Sequence, residues 1–103
     1  MNKLAPLAKV LTLSVLSCPV MAADTIVDIS QFAFTPVVEV PAGTKIVWVN
    51  RDKVNHSVIG DAGTFNSGSL KPDDSFSHTF AAAGTYAYHC GYHAYMNGVI
   101  VVK

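Results

Sequence analysis

The sequence has little charge and no excess of either sign. Only 14% of its 103 residues are Asp, Glu, Lys or Arg, and seven basic residues balance seven acidic ones. The lack of a basic excess argues against a nucleic-acid binder, which normally carries a basic stripe. Low charge together with 50% apolar residues also argues against a disordered linker or an acidic tail. At a length of 103 residues, the chain is expected to form one folded domain at most.

Cysteine, methionine and long apolar runs are scarce as well. The chain has two cysteines, which are too few for a disulfide scaffold. Its longest apolar run is shorter than the roughly 20 residues that a membrane-spanning helix needs. No window shows a 3.6-residue apolar period over the length of a helix, so a helical domain is not expected either.

The first 22 residues have the features of a secretory signal peptide. Lys3 and Lys9 precede an apolar run over residues 10–20, and small or apolar residues lead up to Ala22. Cleavage after Ala22 would remove residues 1–22. We predict an exported, periplasmic protein whose domain spans residues 23–103.

Two other interpretations of this segment are weaker. A buried N-terminal helix is disfavoured because Pro6 and Pro19 flank the apolar run. Lipid attachment at Cys18 is disfavoured because Pro19 follows that cysteine directly and the residues before it match a lipoprotein signal only loosely.

Without this segment, the net charge and the numbers of cysteines and methionines are different. Residues 23–103 hold five basic and seven acidic residues, a formal net charge of −2, and they retain one cysteine, Cys90, and one methionine, Met96. A lone exported cysteine cannot form an internal disulfide, and an exposed free thiol is a liability in an oxidising compartment. Cys90 is therefore buried and inert, paired with another chain, or held as a metal thiolate.

The remaining sequence has the pattern of β-strands throughout. Runs rich in β-branched and aromatic residues recur at short intervals and are separated by Gly, Pro, Asp and Asn. The predicted strands cover residues 25–29, 36–40, 44–50, 54–59, 75–80, 85–90 and 98–102. About seven short strands with such turns predict an all-β fold, a small Greek-key β-sandwich.

The most informative stretch joins three sulfur- and nitrogen-bearing side chains. Cys90, His93 and Met96 follow one another at a spacing of three residues, and His56 lies 34 residues before Cys90. One thiolate, two imidazoles and a weak thioether are the ligand set of a blue-copper electron-transfer site. Zinc is the main alternative metal, but it prefers four strong ligands, and no carboxylate in this loop could replace Met96.

Each of these four residues taken alone has an ordinary structural explanation, as a core residue or as a loop or strand histidine. Their combined spacing, and the scarcity of Cys and Met, favour a metal site. The two other histidines do not fit it. His89 precedes Cys90 and so faces the opposite side of a strand, where it is expected to be exposed. His78 alternates with Phe76 and Phe80 and is expected to be a partly buried structural residue.

The sequence resembles the cupredoxins, and among them the amicyanin-like members with a short Cys-x2-His-x2-Met ligand loop. The shared pattern runs through nearly all of residues 23–103. It consists of Phe32-x-Phe34-x-Pro36, Val40-Pro41-Ala42-Gly43-Thr44, Val47-Trp48-Val49-Asn50-Arg51, His56, Phe80-x3-Gly84-Thr85-Tyr86-x-Tyr88-His89-Cys90, and His93-x2-Met96-x-Gly98.

The resemblance implies a type 1 copper protein that shuttles single electrons in the periplasm and is not an enzyme. It implies that His56, Cys90 and His93 are the strong ligands of one copper ion and that Met96 is the axial ligand. It further implies a monomer with a protein electron donor and acceptor, such as a dehydrogenase and a c-type cytochrome. Ser57 departs from the pattern, because cupredoxins commonly have Asn after the first histidine, so the reduction potential does not carry over.

Two further functions remain open at this point. A periplasmic copper chaperone or copper-buffering protein could use the same four ligands. A metal-free β-sandwich binding module is the third hypothesis, and it predicts that Cys90 and Met96 can be replaced without loss of function.

Overall fold

Two facing β-sheets make up the structure, a computed structural model that describes residues 23–103. The seven strands are β1 (Thr25–Ile29), β2 (Val37–Val40), β3 (Thr44–Asn50), β4 (Ile59–Gly60), β5 (Ser75–Phe80), β6 (Gly84–His89) and β7 (Asn97–Val102). No helix occurs among residues 23–103, and so none there could cross a membrane. The predicted all-β sandwich is confirmed, whereas the predicted signal peptide lies outside the described residues.

From β1 to β6, each connection between successive strands crosses from one sheet to the other. One sheet has the strand order β1-β3-β5 and the other has the order β2-β7-β6-β4. β1 pairs in parallel with β3, and β2 pairs in parallel with β7, while the remaining pairs are antiparallel. The end of β3, the end of β6 and the start of β7 therefore lie at one end of the sandwich.

Alternating side chains on the two inner faces form the core. In β3 the inward positions are Thr44, Ile46, Trp48 and Asn50, all of which are buried. Trp48 packs edge-on against Tyr88 of the opposite sheet, with 5.3 Å between ring centroids. Aromatic pairs of this kind contribute roughly 0.5–1.5 kcal/mol beyond the area they bury, so this contact helps to hold the sheets together.

Asn50 organises the loop that leaves β3. Its side-chain amide donates to the carbonyl oxygens of Val54 and Leu70 at 2.8 and 2.9 Å, and its oxygen accepts the N–H of Asp52 at 3.0 Å. These bonds satisfy a fully buried amide, which would otherwise be costly. They also fix the path of the chain towards His56.

The fourth predicted strand is shorter than expected. Residues 54–59 were expected to form a strand, but regular pairing is limited to Ile59–Gly60, and His56 makes an isolated bridge with Leu70. The backbone before β4 bonds to irregular partners instead, as when the N–H of Val58 donates to the hydroxyl of Ser67. His56 therefore lies in a loop anchored to another loop.

Tyr88 keeps a hydroxyl group inside the apolar core. Neither this hydroxyl nor the Trp48 indole nitrogen makes a hydrogen bond of ordinary geometry, although both are buried. Burial raises the pKa of Tyr88 to about 12, and the nearby Trp48 indole opposes the shift only in part. The phenol is therefore held neutral by its surroundings.

Replacement of this phenol should change how the free energy of unfolding depends on pH above about 10. In the unfolded chain Tyr88 ionises near its ordinary pKa of 10.0, whereas the folded group resists ionisation until about 12. The stability that this difference provides is fully present below pH 10 and is lost as pH rises to 12. Tyr88→Phe should make the decrease in stability between pH 10 and 12 smaller, and it should change stability little at pH 7. Urea unfolding at pH 7, 10 and 11.5 tests this, and an unchanged alkaline slope in the variant would contradict it.

Candidate metal centre

Three potential metal ligands converge at the end of the sandwich. The Cys90 sulfur lies 3.8 Å from His56 Nδ1 and 3.8 Å from His93 Nδ1. All three ligand atoms lie within 4.8 Å of one another. His56 and Cys90 are buried, and His93 is partly exposed. Residues from two distant parts of the chain are thus brought to one point, as the spacing predicted.

The separations between these atoms suit a shared metal ion. Ordinary metal bonds are about 2.0–2.1 Å to imidazole and about 2.3 Å to thiolate, so nitrogen and sulfur atoms that hold one ion lie somewhat less than about 4 Å apart. The two sulfur-to-nitrogen distances of 3.8 Å fall in that range. The kind of ligand then favours copper over zinc, because two imidazoles and a thiolate with a nearby thioether suit copper, whereas zinc prefers four strong ligands.

A short closed loop positions Cys90, His93 and Met96. It leaves β6 at His89 and enters β7 at Asn97. The N–H of Cys90 donates to the carbonyl of Met96 at 3.1 Å, and the N–H of Met96 donates to the carbonyl of His93 at 3.0 Å. The Met96 side chain is buried, with 1% of its surface exposed. The loop thus keeps the thioether inside and His93 at the surface.

Ser57 joins the first histidine to the cysteine loop. Its N–H donates to the Cys90 sulfur at 3.4 Å, and its hydroxyl accepts the N–H of Gly91 at 2.8 Å. A Cβ added at position 91 would lie only 3.1 Å from the Ser57 hydroxyl oxygen, so glycine permits this close approach. The serine therefore makes a link between the two ligand segments although the usual asparagine is absent.

Asp52 contacts the other side of the His56 ring and was missed by the sequence analysis. Its carboxylate lies 2.8 Å from His56 Nε2, so the Nε2–H donates to Asp52 while Nδ1 faces Cys90. Partial burial raises the pKa of Asp52, but hydrogen bonds from the Phe32 N–H, His56 and the Gln31 N–H outweigh it and hold this pKa below 3.8. The Asp-x3-His spacing was the available signal.

Exposed aromatic rings surround His93. The Phe32 ring lies 5.0 Å from the His93 ring, Tyr95 lies at 5.9 Å and Tyr92 at 6.5 Å, centroid to centroid. Between 39% and 68% of each of these three aromatic side chains is exposed. An exposed apolar patch around a partly exposed ligand is typical of a contact surface.

The other two histidines lie apart from this cluster. His89 was expected to be exposed; it is partly exposed and pairs with Asp61 at 2.6 Å. His78 is partly buried, as expected, between the rings of Phe65 and Phe80 at 4.9 and 4.8 Å.

Comparisons with known proteins agree with this geometry. A family model described as a cupredoxin-like domain matches residues 7–102. The chain belongs to the cupredoxin-like family. Amicyanin of Paracoccus denitrificans is 37% identical over 84 residues, a match that covers 76% of this cupredoxin and 64% of that relative. The chain thus spans slightly less than two thirds of that relative's length.

Solved structures extend the likeness to three dimensions. An amicyanin variant with Cu(I) superimposes with a TM-score of 0.74 at 33% identity, covering 82% of this cupredoxin and 86% of that chain. A purple cupredoxin from Nitrosopumilus maritimus gives a TM-score of 0.71 at 29% identity, covering 78% of this chain and 100% of its own. The expected membership of the cupredoxins and the likeness to amicyanin are confirmed, and the site is compatible with one type 1 copper ion.

Removal of the Ser57 hydroxyl should destabilise the site. Ser57→Ala removes the acceptor of the Gly91 N–H, which should lower the free energy of unfolding by about 0.5–1.5 kcal/mol. Urea unfolding of the metal-free protein measures this loss. Ser77→Ala, at an exposed position of β5, is the control and should change stability by less than about 0.5 kcal/mol. Equal stabilities of the two variants would show that the link is weak.

Proposed function

We propose that this cupredoxin is a periplasmic type 1 copper protein that carries one electron at a time between partner proteins. The observation that carries the proposal is the buried sulfur of Cys90, equidistant at 3.8 Å from two imidazole nitrogens. A thiolate favours Cu(I), and imidazole suits both oxidation states of copper. When bound, the ion supplies reversible one-electron chemistry.

Each ligand has a distinct part in this proposal. His56 and His93 would hold the ion through Nδ1, and Cys90 would hold it through its thiolate. Met96 would offer its thioether as a weak fourth ligand, supported by its burial in the same loop. The Ser57 N–H donates towards the thiolate and so stabilises its negative charge, an interaction that tunes reduction potential.

The arrangement suits a carrier better than an enzyme. Four protein ligands leave no position for a substrate, and a single site in a small domain stores one electron. Among the four, His93 is the partly exposed one, and Tyr92, Tyr95 and Phe32 surround it. We infer that electrons enter and leave through the His93 edge while partners rest on these rings.

The proposed location rests on the first 22 residues, and the proposed partner classes rest on the resemblance to amicyanin-like proteins. The signal-like residues 1–22 support export to the periplasm. A dehydrogenase as electron donor and a c-type cytochrome as acceptor are the partner classes that fit, and the domain would act as a monomer. The net charge of −2 over residues 23–103 is too small to select partners by charge alone.

Copper delivery is the second candidate function, because soft sulfur ligands also suit Cu(I) transfer. Burial argues against it. Cys90 and Met96 are each 1% exposed, so an accepting protein could not replace these sulfur ligands without opening the loop. A stopped-flow mixture with a Cu(I) chelator or apo-acceptor should show slow metal loss, whereas reduced and oxidised forms should exchange electrons rapidly. Fast metal transfer with slow electron exchange would support delivery instead.

Addition of Cu(II) to the protein of residues 23–103 tests the centre directly. We expect an intense visible thiolate-to-copper absorption band, since Cys90 supplies the thiolate. Cys90→Ser should abolish this band. His89→Ala removes a neighbouring imidazole that lies apart from the cluster, and it should keep the band. No band in the unchanged protein, or a band that survives in Cys90→Ser, would refute the proposal.

A charge placed on the aromatic surface should slow electron exchange. Tyr95→Lys puts like charges face to face when two molecules meet at His93, and the self-exchange rate should fall about tenfold or more at low salt. Thr79→Lys, opposite Lys45 at the far end of β3, adds the same charge elsewhere and should have little effect. NMR line broadening in mixtures of the two oxidation states measures the rate. Equal slowing in both variants would show that electron exchange does not take place at the surface around His93.

A further inference from the structure

An unusual two-residue turn lies beside the candidate metal centre. Gln31 and Phe32 have φ angles of 54° and 57°, in the left-handed region that non-glycine residues rarely adopt. Ser30 and Ala33 on either side exchange N–H to C=O hydrogen bonds of 3.1 Å. Such turns normally take Asn-Gly, so Gln-Phe needs support from outside the turn.

That support comes from Asp52. Its carboxylate accepts the N–H of Gln31 at 2.8 Å and the N–H of Phe32 at 2.9 Å. The oxygen that accepts from Phe32 is also the one that lies 2.8 Å from His56 Nε2. Asp52 is itself fixed, because its N–H donates to the buried side chain of Asn50. One carboxylate therefore binds a strained turn and a metal-site histidine.

The turn places Phe32 against both histidines. The Phe32 ring meets the His56 ring at 5.2 Å with an interplanar angle of 89°, and it meets the His93 ring at 5.0 Å with an angle of 79°. His56 and His93 come from different loops. Phe32 thus comes from a third segment of the chain and contacts both rings edge-on.

We propose that Asp52 is a positioning residue that holds the His56 ring by hydrogen bonding and, through the Ser30–Ala33 turn, holds Phe32 as an aromatic brace across both histidines. The strain of the turn is tolerated because two charge-assisted hydrogen bonds oppose it. With both rings fixed before the metal arrives, little rearrangement accompanies electron gain or loss. This last consequence rests on the proposed electron-carrier function.

The first experiment uses the metal-free protein, so that it is readable even if the copper proposal fails. In Asp52→Ala, amide hydrogen exchange at Gln31 and Phe32 should accelerate about tenfold or more, since both lose their acceptor. The imidazole NMR signals of both histidines should shift. Asp28→Ala removes an exposed carboxylate that pairs with Arg51, and as the control it should change neither. Unchanged exchange and unchanged imidazole signals in Asp52→Ala would overturn the proposal.

A second variant separates the two roles of Asp52. Adding Gln31→Gly to Asp52→Ala relaxes one left-handed position, so the turn and the His93 signals should return towards those of the unchanged protein. The His56 Nε2 proton signal should not return, because its carboxylate partner is gone. Recovery of both histidines would show that Asp52 does not orient His56, and recovery of neither would show that the turn does not hold Phe32. Either result contradicts the proposal.

Phe32→Leu provides a check that does not depend on the folding of the Asp52 variants. It keeps an apolar side chain at an exposed position and leaves Asp52 in place. The proposal expects shifted imidazole signals for both histidines, normal exchange at residue 31 and, in the copper-loaded protein, a changed EPR hyperfine pattern. Signals for both rings that match those of the unchanged protein would show that Phe32 does not brace them. A protein that binds no copper would refute only the proposed function.

Discussion

The burial of one sulfur atom, that of Cys90, is the constraint on which the end of this sandwich depends. A polarisable sulfur atom with a hydrogen-bonding role is costly to bury unless polar groups approach it. The Ser57 N–H and two imidazole rings approach this atom, and each comes from a segment that must itself be held in place. The loops at this end are therefore bound to one another by polar contacts, whereas the middle of the sandwich is packed with aromatic rings.

These polar contacts form a chain that starts in a strand. Asn50 ends β3 and fixes the start of the following loop, where Asp52 binds His56. Ser57 continues the chain to the cysteine loop through Gly91. Buried networks of this kind stabilise a fold only when all members are satisfied, and the Asn50 side chain uses both its amide hydrogens and its oxygen in hydrogen bonds. The rigid sheet thereby fixes the ligand positions although most ligands lie in loops.

The sequence predicted the strands and the ligand cluster because both depend on local pattern. Alternation gave β1 and β3 their bounds, and the spacing of Cys90, His93 and Met96 indicated a shared loop. The Asp-x3-His spacing could have indicated the contact between Asp52 and His56. The contact between Asp52 and the turn was not predictable, since Gln31 and Phe32 are not residues that indicate a left-handed turn. The extent of β4 was overestimated for a related reason: residues before it have strand-forming side chains but pair with loops rather than strands.

Ser57 shows how a substitution can retain a contact and still alter a site. Asparagine is longer than serine, so a serine hydroxyl reaches the Gly91 N–H only where the two backbones approach closely, and glycine at position 91 permits that approach. The backbone N–H of Ser57 meets the sulfur independently of its side chain. The Cys90 sulfur therefore accepts a backbone N–H whatever the side chain at position 57, while the link between the two loops depends on the short serine side chain.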